Sequence, residues 1–382
     1  MQPAAGARAP PLPRGARPAS VTCWPVRCAL PLPRTRMVLP RACSIRMFRM
    51  TLDLERTFHW RRRTMTTMTD HAQPQVIESP EWVPMPVPAC SIGDHEFVRA
   101  AGHAGRLLPA VIHDALVDFA DAPPQAGAIV LRGLPVGCLP QTPTSPTAAT
   151  DKDRVSEFTL LTVARRLGHP VGYEPEHGGD LVQNLVPVQA NADRQVSTSS
   201  KVTLMFHTEA AFHPHRPRYL MLLCLRGDEH AVTTLSSIFE VLPHLPGRVV
   251  DTLFQPRFRT AVDESYLHGR SNVLGAPMSV LSGERDRPTM VFDADLMVGT
   301  DDEADDALLA LSAAVEARHT GLALQAGDLL VVDNNVAVHG RTPYQPRFDG
   351  YDRWLQRSMA VTDLSASAGQ RVDRVIVTHF GA

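Results

Sequence analysis

No run of 18 apolar residues occurs in this 382-residue chain, so nothing in the sequence is built to cross a bilayer as a helix. Cysteine is sparse, and three of the six residues (Cys23, Cys28 and Cys43) lie near the N-terminus. The other three, Cys90, Cys138 and Cys224, are scattered and cannot all pair, which fits a reducing, cytoplasmic compartment. Cys23 and Cys28 lack a second pair, and no C-x-x-C spacing follows them, which argues against a structural zinc site. Gly-x-Gly-x-x-Gly and phosphate-loop motifs are absent, removing the usual nucleotide-binding folds from the front rank. An H-E-x-x-H helix is also missing, and with it the water-activating glutamate of the common zinc hydrolases.

Charge is unevenly divided. Residues 1–64 hold thirteen Arg against Asp53 and Glu55, a net +11, so a total of -2 leaves -13 for the remainder. The N-terminal stretch is rich in Pro and Arg and has no period of 2 or 3.6 that would bury one face. Residues 1–68 are therefore expected to be disordered or absent from the native protein, and 69–382 to form a single domain. An organelle transit segment is one account of the basic stretch, yet prolines interrupt every candidate helix between Ala9 and Pro40, leaving only 41–63 free of them. A nucleic-acid-binding arm is another, but the acidic remainder offers no basic surface to continue it, so no nucleic-acid partner is expected. The preferred account is that translation begins at Met65 or Met68.

Beyond Met68, residues 95–122 carry Leu107, Leu108, Val111, Ile112, Leu116, Val117 and Phe119 at helical spacing, in one helix or two short ones. AIVLRGL from Ala128 reads as a buried strand, and Phe158, Leu161 and Leu167 predict an amphipathic helix closed by Gly168. Short runs follow, LVQNLVPV, TLMFHTEAAF, RYLMLLCLRG and AVTTLSSI, separated by polar or Gly/Pro punctuation. A helix is expected between Asp302 and Ala317, then strand, turn and strand in GDLLVVDNNVAVHGR, and a last extended run in RWLQRSMAVTDL. Many short strands without regular β-α alternation predict a barrel or a double-sheet jelly roll, mainly β with flanking helices.

The informative words are FHTEAAFH and VHGR. In a strand, residues two apart share a face, so His207 and Glu209 can reach one ion while Thr208 points away. An imidazole and a carboxylate suit iron(II), and two histidines plus one carboxylate form a facial triad with three open positions. His339 is the best third ligand, followed by Gly340, where close backbone approach is easy. His213 and His215 compete for that place, since HxE with nearby histidines also fits a zinc cluster or a polar strand face.

Three long words in order, FHTEAAFHPHRPRYLMLLCLRG, LQAGDLLVVDNNVAVHGRTPY and RFDGYDRWLQRSMAV, resemble the clavaminate-synthase-like branch of the iron(II)/2-oxoglutarate oxygenases over 128–361. The resemblance implies a double-stranded β-helix core and a metal triad of His207, Glu209 and His339. It puts the 2-oxoglutarate-binding arginine at Arg353 and a further arginine, Arg357, near the metal carboxylate and substrate. The distal carboxylate of the oxoacid independently calls for a guanidinium, which holds a planar anion with two parallel hydrogen bonds. Arg353, Leu355 and Arg357 share one strand parity. The same resemblance points to Thr234, or Thr233 with a one-residue shift, as an aid to oxoacid binding. Glu209 keeps the carboxylate that halogenating relatives lack, so hydroxylation is expected, with iron(II), 2-oxoglutarate and dioxygen as the required partners.

For the substrate, the resemblance draws attention to Glu176 or His177 and to Asp293. Asp295 shares strand parity with Asp293, and two inward aspartates would select a cationic side chain. The expected substrate is accordingly a small free amino acid, L-lysine oxidised at C3, ahead of L-arginine or L-asparagine; a carrier-bound amino acid and a non-catalytic metal-binding jelly-roll module are the alternatives.

Overall fold

The computed structural model describes residues 71–380 apart from 80, 81, 84 and 268, all within the compact unit Met65–Ala382. The expectations about 1–68 fall outside the described residues. Two sheets face each other. The larger runs in the order Gln75–Glu78, Ala128–Arg132, Leu329–Asp333, Tyr219–Arg226, Trp354–Val361, His169–Tyr173, Val375–Ile376 and Arg371–Val372, with Gln183–Leu185 also paired to Trp354–Val361. The smaller runs Thr320–Leu322, Thr233–Ser237, Ala337–Arg341 and Leu204–His207. This is the expected jelly roll.

Its core strands read as unbroken apolar runs because both faces of the larger sheet are covered. In Tyr219–Arg226, alternate residues Tyr219, Met221, Leu223 and Leu225 pack with Ile112, Leu116, Leu160 and Val163 of helices Ala110–Asp121 and Val155–Leu167. The intervening Leu220, Leu222 and Cys224 point between the sheets, against Leu330, Leu355 and Met359 of their own sheet and Leu235 and Ala337 of the smaller one. The smaller sheet turns Phe206 and Val338 the other way, onto Leu308, Leu311 and Val315 of helix Asp302–Ala317. That helix begins where expected because Asp301 accepts a hydrogen bond from the Ala304 N–H and three acids occupy its first turn.

Two details depart from the sequence reading. The stretch 95–122 forms two α-helices, His95–Ala104 and Ala110–Asp121, one of the two forms expected, but its apolar residues do not share one buried face. In the second helix Ile112, Leu116 and Phe119 share one face and are buried, whereas Val111 and Val117 lie off it and are exposed; before Pro109, Leu108 is buried and Leu107 exposed. Helix Val155–Leu167 is buried on two sides and not only one, with Phe158 and Leu161 against helix His95–Ala104 and Leu160 and Val163 against the sheet.

The three-residue strand Gln183–Leu185 is held in register by a buried polar network. Asn184 accepts hydrogen bonds from Trp354 Nε1 at 2.9 Å and Gln356 Nε2 at 3.2 Å. Gln356 Nε2 also donates to Glu157 at 2.9 Å, and Glu157 is ion-paired with the buried Lys152. A slip of one residue would turn Gln183 away from Arg357, its cross-strand partner. Lys152→Met strands the Glu157 carboxylate without its cation, and we expect a loss of about 3 kcal/mol of stability, read as a lower midpoint of urea unfolding.

Candidate active site

His207 ends its strand, and His339 lies directly across the ladder from it, with ring centroids 4.3 Å apart. Gly340 permits this: a Cβ there would sit 2.5 Å from the carbonyl oxygen of Leu204. Glu209 arrives differently from the strand parity expected. The strand stops at His207, and the chain turns through Ala210, whose φ is +51°. Asn334 fixes that turn, accepting from the Glu209 N–H at 2.7 Å and donating to the Glu209 carbonyl at 3.1 Å. Thr208 points away, its hydroxyl accepting from the Phe292 N–H at 3.0 Å.

One donor atom from each of His207, Glu209 and His339 lies within 4.8 Å of the others. His339 Nε2 is 3.7 Å from Glu209 Oε2. His207 Nδ1 is 2.8 Å from the Met205 carbonyl, a bond that requires the proton on Nδ1 and leaves Nε2 as the donor to a metal. Burial first, then the neighbouring His207, hold His339 well below the ordinary histidine range, so it is neutral as a ligand must be. Two imidazoles and a carboxylate fit iron(II). The competing histidines stand elsewhere. His213 is packed edge-on against Tyr173 at 4.8 Å and accepts from the His215 N–H, and burial pushes it down to about 3.

A cavity of about 480 Å³ opens on the triad. At one end Arg353 is buried, 6.0 Å from the ring of Tyr344, and has no ion-pair partner among the described residues. Thr233 lines the same cavity and its buried hydroxyl lacks a partner, whereas Thr234 pairs with Gly340 and belongs to the opposite strand parity. The geometry thus favours Thr233 over Thr234 beside Arg353. Arg341, two residues after His339, also lines the cavity and was not singled out from sequence. It binds Ser199 through the carbonyl and the hydroxyl, and the Val202 carbonyl at 3.1 Å. Burial, and then Arg353, lower its pKa to about 10. The parity i, i+2 from a metal ligand was the available signal.

Arg357 lies against the triad. Its guanidinium donates to Glu209 Oε1 at 3.0 Å, to Gln183 Oε1 at 2.9 Å and to Glu176. Burial alone would depress its pKa, but the facing Glu176 and Glu209 carboxylates hold it above the ordinary arginine value. Asp293 is buried beside His207, its Oδ1 accepting from the Asp295 and Leu296 N–H groups at 2.9 Å each. Asp295 lies in a turn and is exposed, so the strand parity that paired it with Asp293 does not apply. His177 borders the cavity with a left-handed φ of +51°.

A jelly roll carrying a His-Glu-His triad, with an arginine that has no ion-pair partner among the described residues on the same cavity, defines an iron(II)/2-oxoglutarate-dependent dioxygenase. Residues 108–359 match the Taurine catabolism dioxygenase TauD, TfdA family, and the chain belongs to that family, in its clavaminate-synthase-like branch. It is 38% identical over 307 residues to L-asparagine oxygenase of Streptomyces coelicolor, covering 79% of this chain and 91% of that protein. It is 38% identical over 293 residues to L-lysine 3-hydroxylase of Catenulispora acidiphila, covering 75% and 82%. A crystal structure of asparagine oxygenase with Fe(II), 2S,3S-3-hydroxyasparagine and succinate superposes with a TM-score of 0.72 at 39% identity, over 76% of this chain and 92% of that one. Among the described residues no helix is long and apolar enough to cross a membrane.

His339→Ala is expected to abolish stoichiometric iron binding, measured by metal analysis after anaerobic loading. Arg353→Met should leave iron content intact and raise the KM for 2-oxoglutarate by about 10- to 100-fold, the value of a hydrogen bond to a charged group, as read by succinate release.

Proposed function

We propose that the protein hydroxylates C3 of a free L-amino acid whose side chain ends in N–H donors, with L-asparagine first. The observation that carries the choice is Asp293. It is a single buried carboxylate whose charge is already partly met by two backbone amides, and Asp295, which would have made the end of the cavity doubly negative, is exposed. One such carboxylate suits the amide of asparagine without requiring a cation. Glu176 and Arg357 offer opposite charges side by side, suited to an α-ammonium and an α-carboxylate. Arg353 and Thr233 are the corresponding holders of 2-oxoglutarate. With iron(II), 2-oxoglutarate and dioxygen present, oxidative decarboxylation to succinate and carbon dioxide supplies the oxidising power for the C–H bond. The protein's part is to orient the two organic molecules and exclude water.

L-lysine at C3 is the second reading, supported by the acidic rim of Asp263, Glu264 and Asp295 and by the resemblance to a lysine 3-hydroxylase. A non-catalytic module is disfavoured because all three ligands and Arg353 are retained. Succinate release across asparagine, lysine, arginine and ornithine decides between them: asparagine should give the highest kcat/KM, and turnover of lysine without asparagine overturns the first reading. Asp293→Asn keeps an acceptor for the two backbone amides but replaces the other oxygen with a donor. It should raise the amino-acid KM by about 10- to 100-fold while leaving that for 2-oxoglutarate unchanged.

A further inference from the structure

Residues 263–267 form part of the rim of the cavity, where Asp263, Glu264 and Ser265 line its mouth. Among the described residues, only two side-chain polar ties join this stretch to other parts of the protein. One is the exposed pair of Glu264 with Arg194 across the mouth, at 2.6 Å, a solvent-screened contact of small effect. The other is buried: the Tyr266 hydroxyl donates to Glu176 Oε2 at 3.1 Å. Tyr266 is wedged among aromatic rings, 4.9 Å from Phe212 and 6.0 Å from Tyr173 between centroids. Its ring is therefore held by packing that does not involve the hydroxyl, which leaves the hydroxyl free to respond to Glu176.

Glu176 does not end the chain of contacts. Its other oxygen is bound by Arg357, and Arg357 in turn donates to Glu209 Oε1 at 3.0 Å. Glu209 and Glu176 thus compete for one guanidinium. A cation on Glu209 withdraws charge from that carboxylate, weakens its hold on Arg357 and lets Arg357 draw in and immobilise Glu176, fixing the position of the second oxygen that receives the Tyr266 hydroxyl. We propose that Tyr266 is a positioning residue that couples the 263–267 stretch of the cavity mouth to the iron carboxylate Glu209, through Glu176 and Arg357. The inference rests on Glu209 as an iron ligand and not on which amino acid is oxidised, so either can fail alone.

Tyr266→Phe keeps the aromatic packing and deletes the hydroxyl. Amide hydrogen exchange is measured in 263–267 for the whole protein, metal-free and loaded anaerobically with iron(II), without any amino acid present. In the native protein iron should slow exchange there by about fivefold or more, the lower range of ordinary coupling between sites; in Tyr266→Phe the iron response should vanish. Glu176→Gln, which retains an acceptor but removes the charge competing for Arg357, should lose it too, and serves as the reporter if Tyr266→Phe fails to fold. An iron response that is missing from the native protein, or equal in native and variant proteins, overturns the proposal.

Discussion

The active site hangs on one buried cation. Arg357 is enclosed between two carboxylates and an amide, and each of the three comes from a different part of the chain: Glu209 from the turn after a strand of the smaller sheet, Glu176 from the loop after His169–Tyr173, and Gln183 from a three-residue strand of the larger sheet. A guanidinium buried with these partners tolerates little displacement, because moving it away leaves charges without compensation in a low-dielectric interior. It fixes the second oxygen of Glu209 toward the histidines and ties the smaller sheet, which carries His207 and His339, to the larger one, which carries Arg357 itself.

That division of labour has a geometric logic. His207 and His339 are neighbours in a ladder, so their separation is set by backbone pairing and not by side-chain flexibility. Arg353 immediately precedes strand Trp354–Val361 and Arg357 lies within it, four residues on, with a bulge in the pairing between Trp354 and Leu355. The cavity is therefore lined by two arginines in different electrostatic settings: one already engaged with carboxylates, the other without an anionic partner among the described residues. The first is suited to organising the protein, the second to receiving an anion.

The triad and the jelly roll were legible because HxE and VHGR stand in order among short apolar strands, a succession of words that resembles the family where HxE alone would not suffice. What failed to be legible depended on where a strand stops. Parity paired Asp295 with Asp293, but the chain turns there; parity likewise separates Thr233 from Thr234, and only the pairing of Thr234 with Gly340 decides between them. The helical face over 107–119 was likewise drawn too wide, since Val111 and Val117 lie off the buried face of their own helix. The role of Glu176 as a partner of Arg357 spans 181 positions, and the bond of Gln356 to Glu157 spans 199. No local periodicity records such pairs. They follow from the topology, which brings distant strands to adjacent positions in one sheet.

The chain contains only two lysines, Lys152 and Lys201, among 38 basic residues. Lys152 is spent on the buried network behind strand Gln183–Leu185, and Lys201 stands in the exposed stretch whose neighbours Ser199 and Val202 are gripped by Arg341. Amine-directed labelling of lysine side chains in the folded protein is thus confined to a single spot. That spot adjoins the wall of the cavity, so a fluorophore or surface tether placed there would report on, or obstruct, the entrance without any engineered attachment point.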